Sequence, residues 1–280
     1  MTTDAHAAPA APGSNESGAA GAVAGRAAAQ SAVHLRDVIV TAPTATEDLT
    51  ILRLTTLSLT ERRVSIIGGN GSGKSTLARL VNGLVEPAAG SVGIELGEED
   101  ASARMLDTRH DGAAVRRRVG FVFTDPAAQL IMPTVIEDVS LSFRRSHPDK
   151  AERRAAALAA LERFGLQHLA DHSVHTLSGG QRQLLAITSV LATDPAILVA
   201  DEPTTLLDLR NASMIGDLLM SLPQQVIVVT HDLDLAARAD RTLVVEDGRV
   251  VFDGAPAAAI AHYRRAATQP PDHLSTPISR

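Results

Sequence analysis

Two kinds of hydrophobic spacing alternate along this chain. Residues 64–67, 196–200 and 226–229 are short, nearly continuous apolar runs, the pattern of strands covered on both faces in a parallel sheet. Leu35 to Val40 and Leu49 to Leu59 mix apolar residues with polar ones, threonine among them, which suits antiparallel strands. Leu77, Leu80, Val81 and Leu84 recur at helical spacing until Gly83 and Pro87 stop the helix, and Leu184, Ile187 and Leu191 repeat that spacing further on. Between Phe123 and Leu177 strand signals vanish. There Thr134, with Glu137 three residues later, predicts a capping-box helix start, and Asp149 opens an alanine-rich helix that Gly165 can close. The pattern predicts an α/β core with antiparallel strands at its start and an inserted helical subdomain over about residues 124–180.

Composition narrows this picture. At 29.3 kDa the chain suffices for one α/β domain with an insertion, and a second full domain would be cramped. A net charge of −6 provides no general attraction to nucleic acid, so no nucleic-acid partner is expected. Arg116, Arg117 and Arg118 read as a solvated helix face. There is no cysteine, which excludes disulfides and thiolate metal sites and fits a reducing compartment. No run approaches the roughly eighteen apolar residues that a spanning helix requires. Residues 1–32, mostly Ala, Gly, Pro and Ser, lack large apolar anchors and read as a disordered extension; they open with Asp4 and His6 and never acquire the apolar stretch of a secretory leader. Residues 266–280, with Pro270 and Pro271, read as a loose tail.

One of only two lysines, Lys74, lies in GGNGSGKST, residues 68–76. Gly68, Gly73, Lys74 and Ser75 satisfy G-x-x-x-x-G-K-[ST] between a strand-like run and a helix-like one, the context a phosphate-binding loop requires. Glycines let successive N–H groups turn inward around an anion, and the helix start adds its partial positive charge. Gly68, Gly69, Asn70, Gly71, Ser72, Gly73, Lys74, Ser75 and Thr76 are therefore the candidate nucleotide-binding residues, Lys74 reaching the outer phosphates and Ser75 ligating Mg²⁺.

Downstream motifs choose among phosphate-loop proteins. LSGGQRQ, residues 177–183, places two glycines at a second helix start, another anion-binding nose formed by Ser178, Gly179, Gly180 and Gln181. ILVADEP ends a buried strand with two acids. Asp201 can hold Mg²⁺, usually through water, and Glu202 can orient or deprotonate an attacking water. The 226–229 strand then delivers Thr230, His231 and Asp232 to the same sheet edge, where His231 can hydrogen-bond a terminal phosphate or the attacking water.

GGNGSGKST, LSGGQRQ, ILVADEP, an aspartate at 208 and THD around His231, in this order, resemble the ATPase subunits of ABC transporters over residues 33–265. The resemblance implies a P-loop NTPase fold of the ABC ATPase type: an α/β core, an antiparallel β subdomain and an inserted helical subdomain. It further implies ATP with Mg²⁺, and a second ATPase subunit, identical or homologous, packed head to tail, so that Ser178 and Gly180 of one subunit contact ATP held by Gly71, Lys74 and Ser75 of the other. A transmembrane coupling subunit and a substrate-binding membrane subunit complete the assembly, on the cytoplasmic face of the membrane. Residues 121–139, FVFTDPAAQLIMPTVIEDV, resemble the energy-coupling-factor importers of cobalt, biotin and other vitamins, with the wording of 124–134 nearest to biotin-importer ATPases.

Two positions depart from the family pattern. Thr124 stands where a glutamine reaches the metal and the water; its hydroxyl can still act there through a bridging water. No aromatic residue precedes Phe121, so the usual adenine stack is missing. A soluble mechanochemical ATPase acting on DNA or ribosomes would need a long heptad insertion or a second cassette, and the chain has neither. A non-hydrolysing interaction protein is disfavoured by the joint presence of Lys74, Asp201, Glu202 and His231.

Overall fold

The computed structural model describes residues 31–45, 47–97 and 104–268. In chain order it begins with β1 (Ala32–Pro43), β2 (Asp48–Leu59), β3 (Arg63–Ile67), α1 (Lys74–Asn82), β4 (Ala89–Leu96), β5 (Arg104–Asp107), α2 (Gly112–Arg118) and β6 (Val119–Val122). Three helices follow: α3 (Val135–Ser142), α4 (Lys150–Arg163) and α5 (Gly179–Leu191). The chain then returns through β7 (Ile197–Asp201), α6 (Leu209–Ser221), β8 (Gln225–Val229), α7 (Leu233–Ala236), β9 (Arg241–Glu246), β10 (Arg249–Gly254) and α8 (Pro256–Thr268).

The strands form an antiparallel sheet in the order β2-β1-β4-β5 and a larger sheet in the order β10-β9-β3-β8-β7-β6. The larger sheet is parallel except for β10, which pairs antiparallel with β9 across a turn at Asp247 and Gly248. Every residue of β3, β7 and β8 is buried, which is why their sequences are nearly continuous apolar runs. Arg63 is the charged exception at the start of β3: its guanidinium donates to the carbonyls of Met220 (3.2 Å) and Gln224 (2.7 Å), so burial leaves no donor group stranded.

α1 lies between the two sheets. Its Leu77, Leu80 and Val81 share one core with Leu35, Leu52 and Ile94 of the antiparallel sheet and Ile66, Val199 and Ile227 of the parallel one. Each such side chain contributes about 1.5–3 kcal/mol on burial. The glycine loop ahead of α1 therefore hangs between a fixed strand and a helix packed on both sides.

The helices α3, α4 and α5 have a core of their own, including Val135, Val139, Ala157, Leu161 and Leu185. α4 begins as its sequence predicts, with the Asp149 carboxylate accepting from the N–H groups of Ala151 and Glu152, and Gly165 follows it at φ 71°. The start of α3 differs from the predicted capping box. The Thr134 hydroxyl donates to the Glu137 carboxylate (2.7 Å) and caps no backbone group. Contacts from outside the helix fix its first turn, where the N–H groups of Val135 and Ile136 bond the carbonyls of His172 and Ala170.

Arg116, Arg117 and Arg118 are exposed on α2 while Val115 beside them is buried, as a solvated face requires. Two boundaries shift. Ala32 belongs to β1, where it pairs with Glu95, and residues 266–268 continue α8, so the expected extension and tail are both shorter than read. What remains of them, residues 1–30 and 269–280, lies outside the described residues. Among the described residues no helix is long and apolar enough to cross a membrane.

Candidate active site

The chain leaves β3 at Ile67 and enters the loop through Gly68, whose φ of 151° and position leave no room for a side chain: a Cβ there would lie 2.1 Å from the Val245 carbonyl oxygen. At the other end Gly73, φ 103°, is the N-cap of α1. The loop is tied down by the Ser72 carbonyl, which accepts from Gly248 N–H (2.9 Å) in the β9–β10 turn, while Gly69, Asn70 and Gly71 at its crest are exposed. Lys74 is buried, and its Nζ donates to the carbonyls of Gly68 (2.9 Å) and Gly69 (2.7 Å). Burial pulls the ammonium below the ordinary lysine range, and the carboxylates of Glu202 and Asp201 oppose that shift.

Ser75, one residue on, donates its hydroxyl to Asp201 Oδ1 (2.8 Å), and Arg79, one turn further along α1, reaches Asp201 Oδ2 (3.4 Å). Asp201 is the last residue of β7 and is 1% exposed. Burial, the largest influence, raises its carboxyl above the usual aspartate range; the Ser75 hydroxyl and Arg79 work in the other direction. Thr124 sits on the far side, its hydroxyl donating to the Asp201 carbonyl (3.0 Å), which leaves the oxygen's lone pairs free to accept.

Glu202 leaves the strand with φ 52°, a left-handed conformation costing on the order of 1 kcal/mol for a residue with a side chain. The turn brings its carboxylate to His231, 2.7 Å from Nδ1, and Oε2 also accepts from the Thr205 hydroxyl (2.9 Å). Facing a carboxylate, Nδ1 is the donor, which directs Nε2 away from Glu202. The side chain of Glu202 is 14% exposed and that of His231 58%, so the pair opens to solvent on the histidine side.

The second glycine motif forms a separate feature. Ser178 is the N-cap of α5 in a complete capping box: its hydroxyl oxygen accepts from Gln181 N–H (3.3 Å), and the Gln181 side chain accepts from Ser178 N–H (2.9 Å). Because the serine oxygen accepts, its proton remains free to donate outward. Ser178 and Gly179 are exposed; Gly180 is buried against Asn211 of α6.

A buried cation on a glycine loop, a hydroxyl–carboxylate pair beside it, and a second carboxylate braced by an imidazole make a site for binding and cleaving a polyphosphate. The family model described as ABC transporter matches residues 55–205, from β2 through the loop after β7. The chain belongs to the ABC transporter family. As a member it is an ATP-binding ATPase subunit of a transporter. Biotin transport ATP-binding protein BioM of Rhizobium etli is 44% identical over 212 residues, covering 76% of this chain and 90% of its own. Among solved structures, a dimeric ATP-binding cassette in a post-hydrolysis state, bound to ADP and Pi, is 33% identical with a TM-score of 0.68, covering 80% of this chain and 98% of that one. CbiO1 of Clostridium perfringens, part of the ABC transporter complex CbiONQ, is 30% identical with a TM-score of 0.68, covering 88% of this chain and 95% of its own.

In this ABC ATPase the fold brings Lys74, Ser75, Thr124, Asp201, Glu202 and His231 to one end of the parallel sheet. Ser178, Gly179, Gly180 and Gln181 stand apart: Gly179 and Gly180 approach the 206–211 segment, and among the described residues no hydrogen bond joins the four to residues 68–76. Asp208 caps α6 by accepting from Asn211 N–H (2.8 Å). Two participants escaped the sequence reading. Arg79 carried a usable signal, being four residues beyond Ser75 on one helix face. Asn211, which meets Gly180 across two helices, carried none.

Proposed function

We propose that this ABC ATPase drives a membrane importer as one of two opposed cassettes that close on ATP and reopen after hydrolysis. The observation that carries the reading is the contact set from Lys74 to His231 at one sheet edge, combined with the exposed Ser178 cap at the start of α5. One subunit holds ATP through residues 68–76 and offers Ser178, Gly179, Gly180 and Gln181 to the ATP of the other. The γ-phosphate then joins the two surfaces, and hydrolysis removes the charge that held them.

Within each site Lys74 exchanges the carbonyls of Gly68 and Gly69 for phosphate oxygens. Glu202 takes a proton from the attacking water, held in position by His231, whose Nε2 reaches toward the terminal phosphate. The hydroxyl of Ser75 and the carboxylate of Asp201, with Thr124 beside them, suit Mg²⁺. They are hard oxygen donors, and a Mg²⁺ ion held by them would take water and phosphate oxygens besides. When bound, that ion offsets phosphate charge.

The partners in this reading are a second copy or homologue, a transmembrane coupling subunit and a substrate-binding membrane subunit, with the ATPase on the cytoplasmic face. The cargo is a vitamin or metal ion, biotin or cobalt-like, supported by the wording of residues 121–139 and by the likeness to BioM and CbiO1. Glu202→Gln tests closure: the variant is expected to form a stable dimer with ATP on size-exclusion chromatography, and a monomer at saturating ATP refutes closure on ATP. Copurification in mild detergent tests the importer, and recovery without any integral membrane protein would count against it.

A further inference from the structure

Residues 123–132 lead from the end of β6, on the catalytic sheet, to α3 in the helical part, and hydrogen bonds pin this segment at three places. At its start the Thr124 hydroxyl donates to the Asp201 carbonyl (3.0 Å), next to Glu202. In the middle the Gln129 amide joins two elements: Oε1 accepts from Phe123 N–H (3.2 Å) at the exit of β6, and Nε2 donates to the Ala186 carbonyl (3.1 Å) of α5, which also packs on the sheet through Ile187 and Leu191. At its end the buried Asp138 carboxylate accepts from the N–H groups of Ile131 (2.9 Å) and Met132 (3.1 Å) and from the Ser189 hydroxyl (3.2 Å). Ala186 and Ser189 lie one turn apart on one face of α5. The segment thus rides on the helix whose first turn is the signature cap.

The middle link is chemically asymmetric. An acceptor must face Phe123 N–H and a donor must face the Ala186 carbonyl, which an amide satisfies in one orientation and a carboxylate cannot. Gln129 makes no hydrogen bond to residues 68–76 among the described residues.

We infer that Gln129 is a positioning residue that locks α5 to the catalytic sheet, setting where Ser178, Gly179 and Gly180 meet the ATP of the opposite subunit, and leaving ATP binding in its own loop untouched. The division of labour follows from side-chain reach. Thr124, standing where the family pattern has a glutamine, is short and engages the backbone of Asp201; the longer amide five residues on spans the gap to α5. The inference rests on the closure reading above.

The test uses the full chain carrying Glu202→Gln, to which Gln129→Met (similar length, neither hydrogen bond) or Gln129→Glu (the acceptor kept, the donor lost) is added. ATP-dependent dimerisation is measured by analytical ultracentrifugation, and ADP affinity by calorimetry. Both variants are expected to weaken dimerisation on the order of tenfold, the consequence of losing one (Glu) or both (Met) of these part-buried hydrogen bonds, with ADP affinity unchanged. Dimerisation equal to that of Glu202→Gln alone overturns the inference, as does a parallel loss of ADP affinity, which would place the effect at the glycine loop or in general instability. If Glu202→Gln alone stays monomeric, the closure reading fails first and this inference with it.

Discussion

Gly180→Ala isolates one contact between the signature cap and α6. A Cβ at Gly180 would lie 2.4 Å from Asn211 Oδ1, 2.5 Å from its Cγ and 3.1 Å from its Cβ. Asn211 Oδ1 and Cγ can move away only by giving up the bond its Nδ2 donates to Asp208 Oδ2 at 2.9 Å, and its Cβ, held by the α6 backbone, stays at 3.1 Å. Forcing an extra methyl into such packing costs about 1–3 kcal/mol. Exchanging glycine for alanine inside a helix returns about 0.5–1 kcal/mol. The clash wins, and Gly180→Ala is expected to destabilise the nucleotide-free chain by about 1 kcal/mol. Asn211→Ala removes the two nearest atoms and leaves the 3.1 Å approach, which a small shift accommodates. By itself it exchanges an exposed side-chain bond for better helix propensity and should be nearly neutral. In that background Gly180→Ala should cost nothing or stabilise slightly, a coupling of about 1–2 kcal/mol. Urea unfolding of the four proteins without nucleotide measures this directly, and the contact of Gly180 with ATP does not enter. Equal cost of Gly180→Ala in both backgrounds would refute the packing argument.

Lys74→Ala should abolish ATP binding in calorimetry; undiminished affinity contradicts the loop's assigned role. For Asp201 the folded carboxyl titrates above its unfolded value, so the folded chain binds more protons there and ionisation costs stability. Asp201→Asn should therefore raise the thermal midpoint of the nucleotide-free chain at neutral pH, with the gain shrinking as pH falls through the raised folded pKa, while hydrolysis is lost; a lower midpoint at neutral pH sinks this account. Thr124→Val removes the bond to the Asp201 carbonyl. Its turnover should fall with ADP affinity retained, and an unchanged rate would show that the hydroxyl only fills space.

Legibility in the sequence followed how local each cause was. The glycine loop was readable because positive φ and close backbone approach admit no other residue, as the 2.1 Å approach at Gly68 illustrates. Strands β3, β7 and β8 were readable because burial on both faces leaves an apolar run. β10 went unread: apolar Val251 lies on its exposed face between half-buried Val250 and Phe252, so its sequence does not alternate apolar with polar, and its pairing with β9 is irregular there. β4 and β5 were missed as well; β4 begins with three exposed residues and carries two glycines, and both strands take their place from pairing rather than from a strong pattern of their own. Thr134 misled because its hydroxyl donates to the Glu137 carboxylate and caps no backbone N–H.

The amino-acid order alone thus determined the phosphate-binding chemistry, the family and the buried strands, because each depends on residue types within a few positions of one another. Only the folded chain decided that Asp201 would be shared by Ser75, Arg79 and Thr124, that Glu202 would turn through a left-handed φ to meet His231, and that Gln129 would bridge β6 and α5. Those contacts join residues far apart in the chain. They exist because packing α1 between two sheets and α5 onto the catalytic sheet brings strand ends and helix starts together, and no local pattern encodes that juxtaposition.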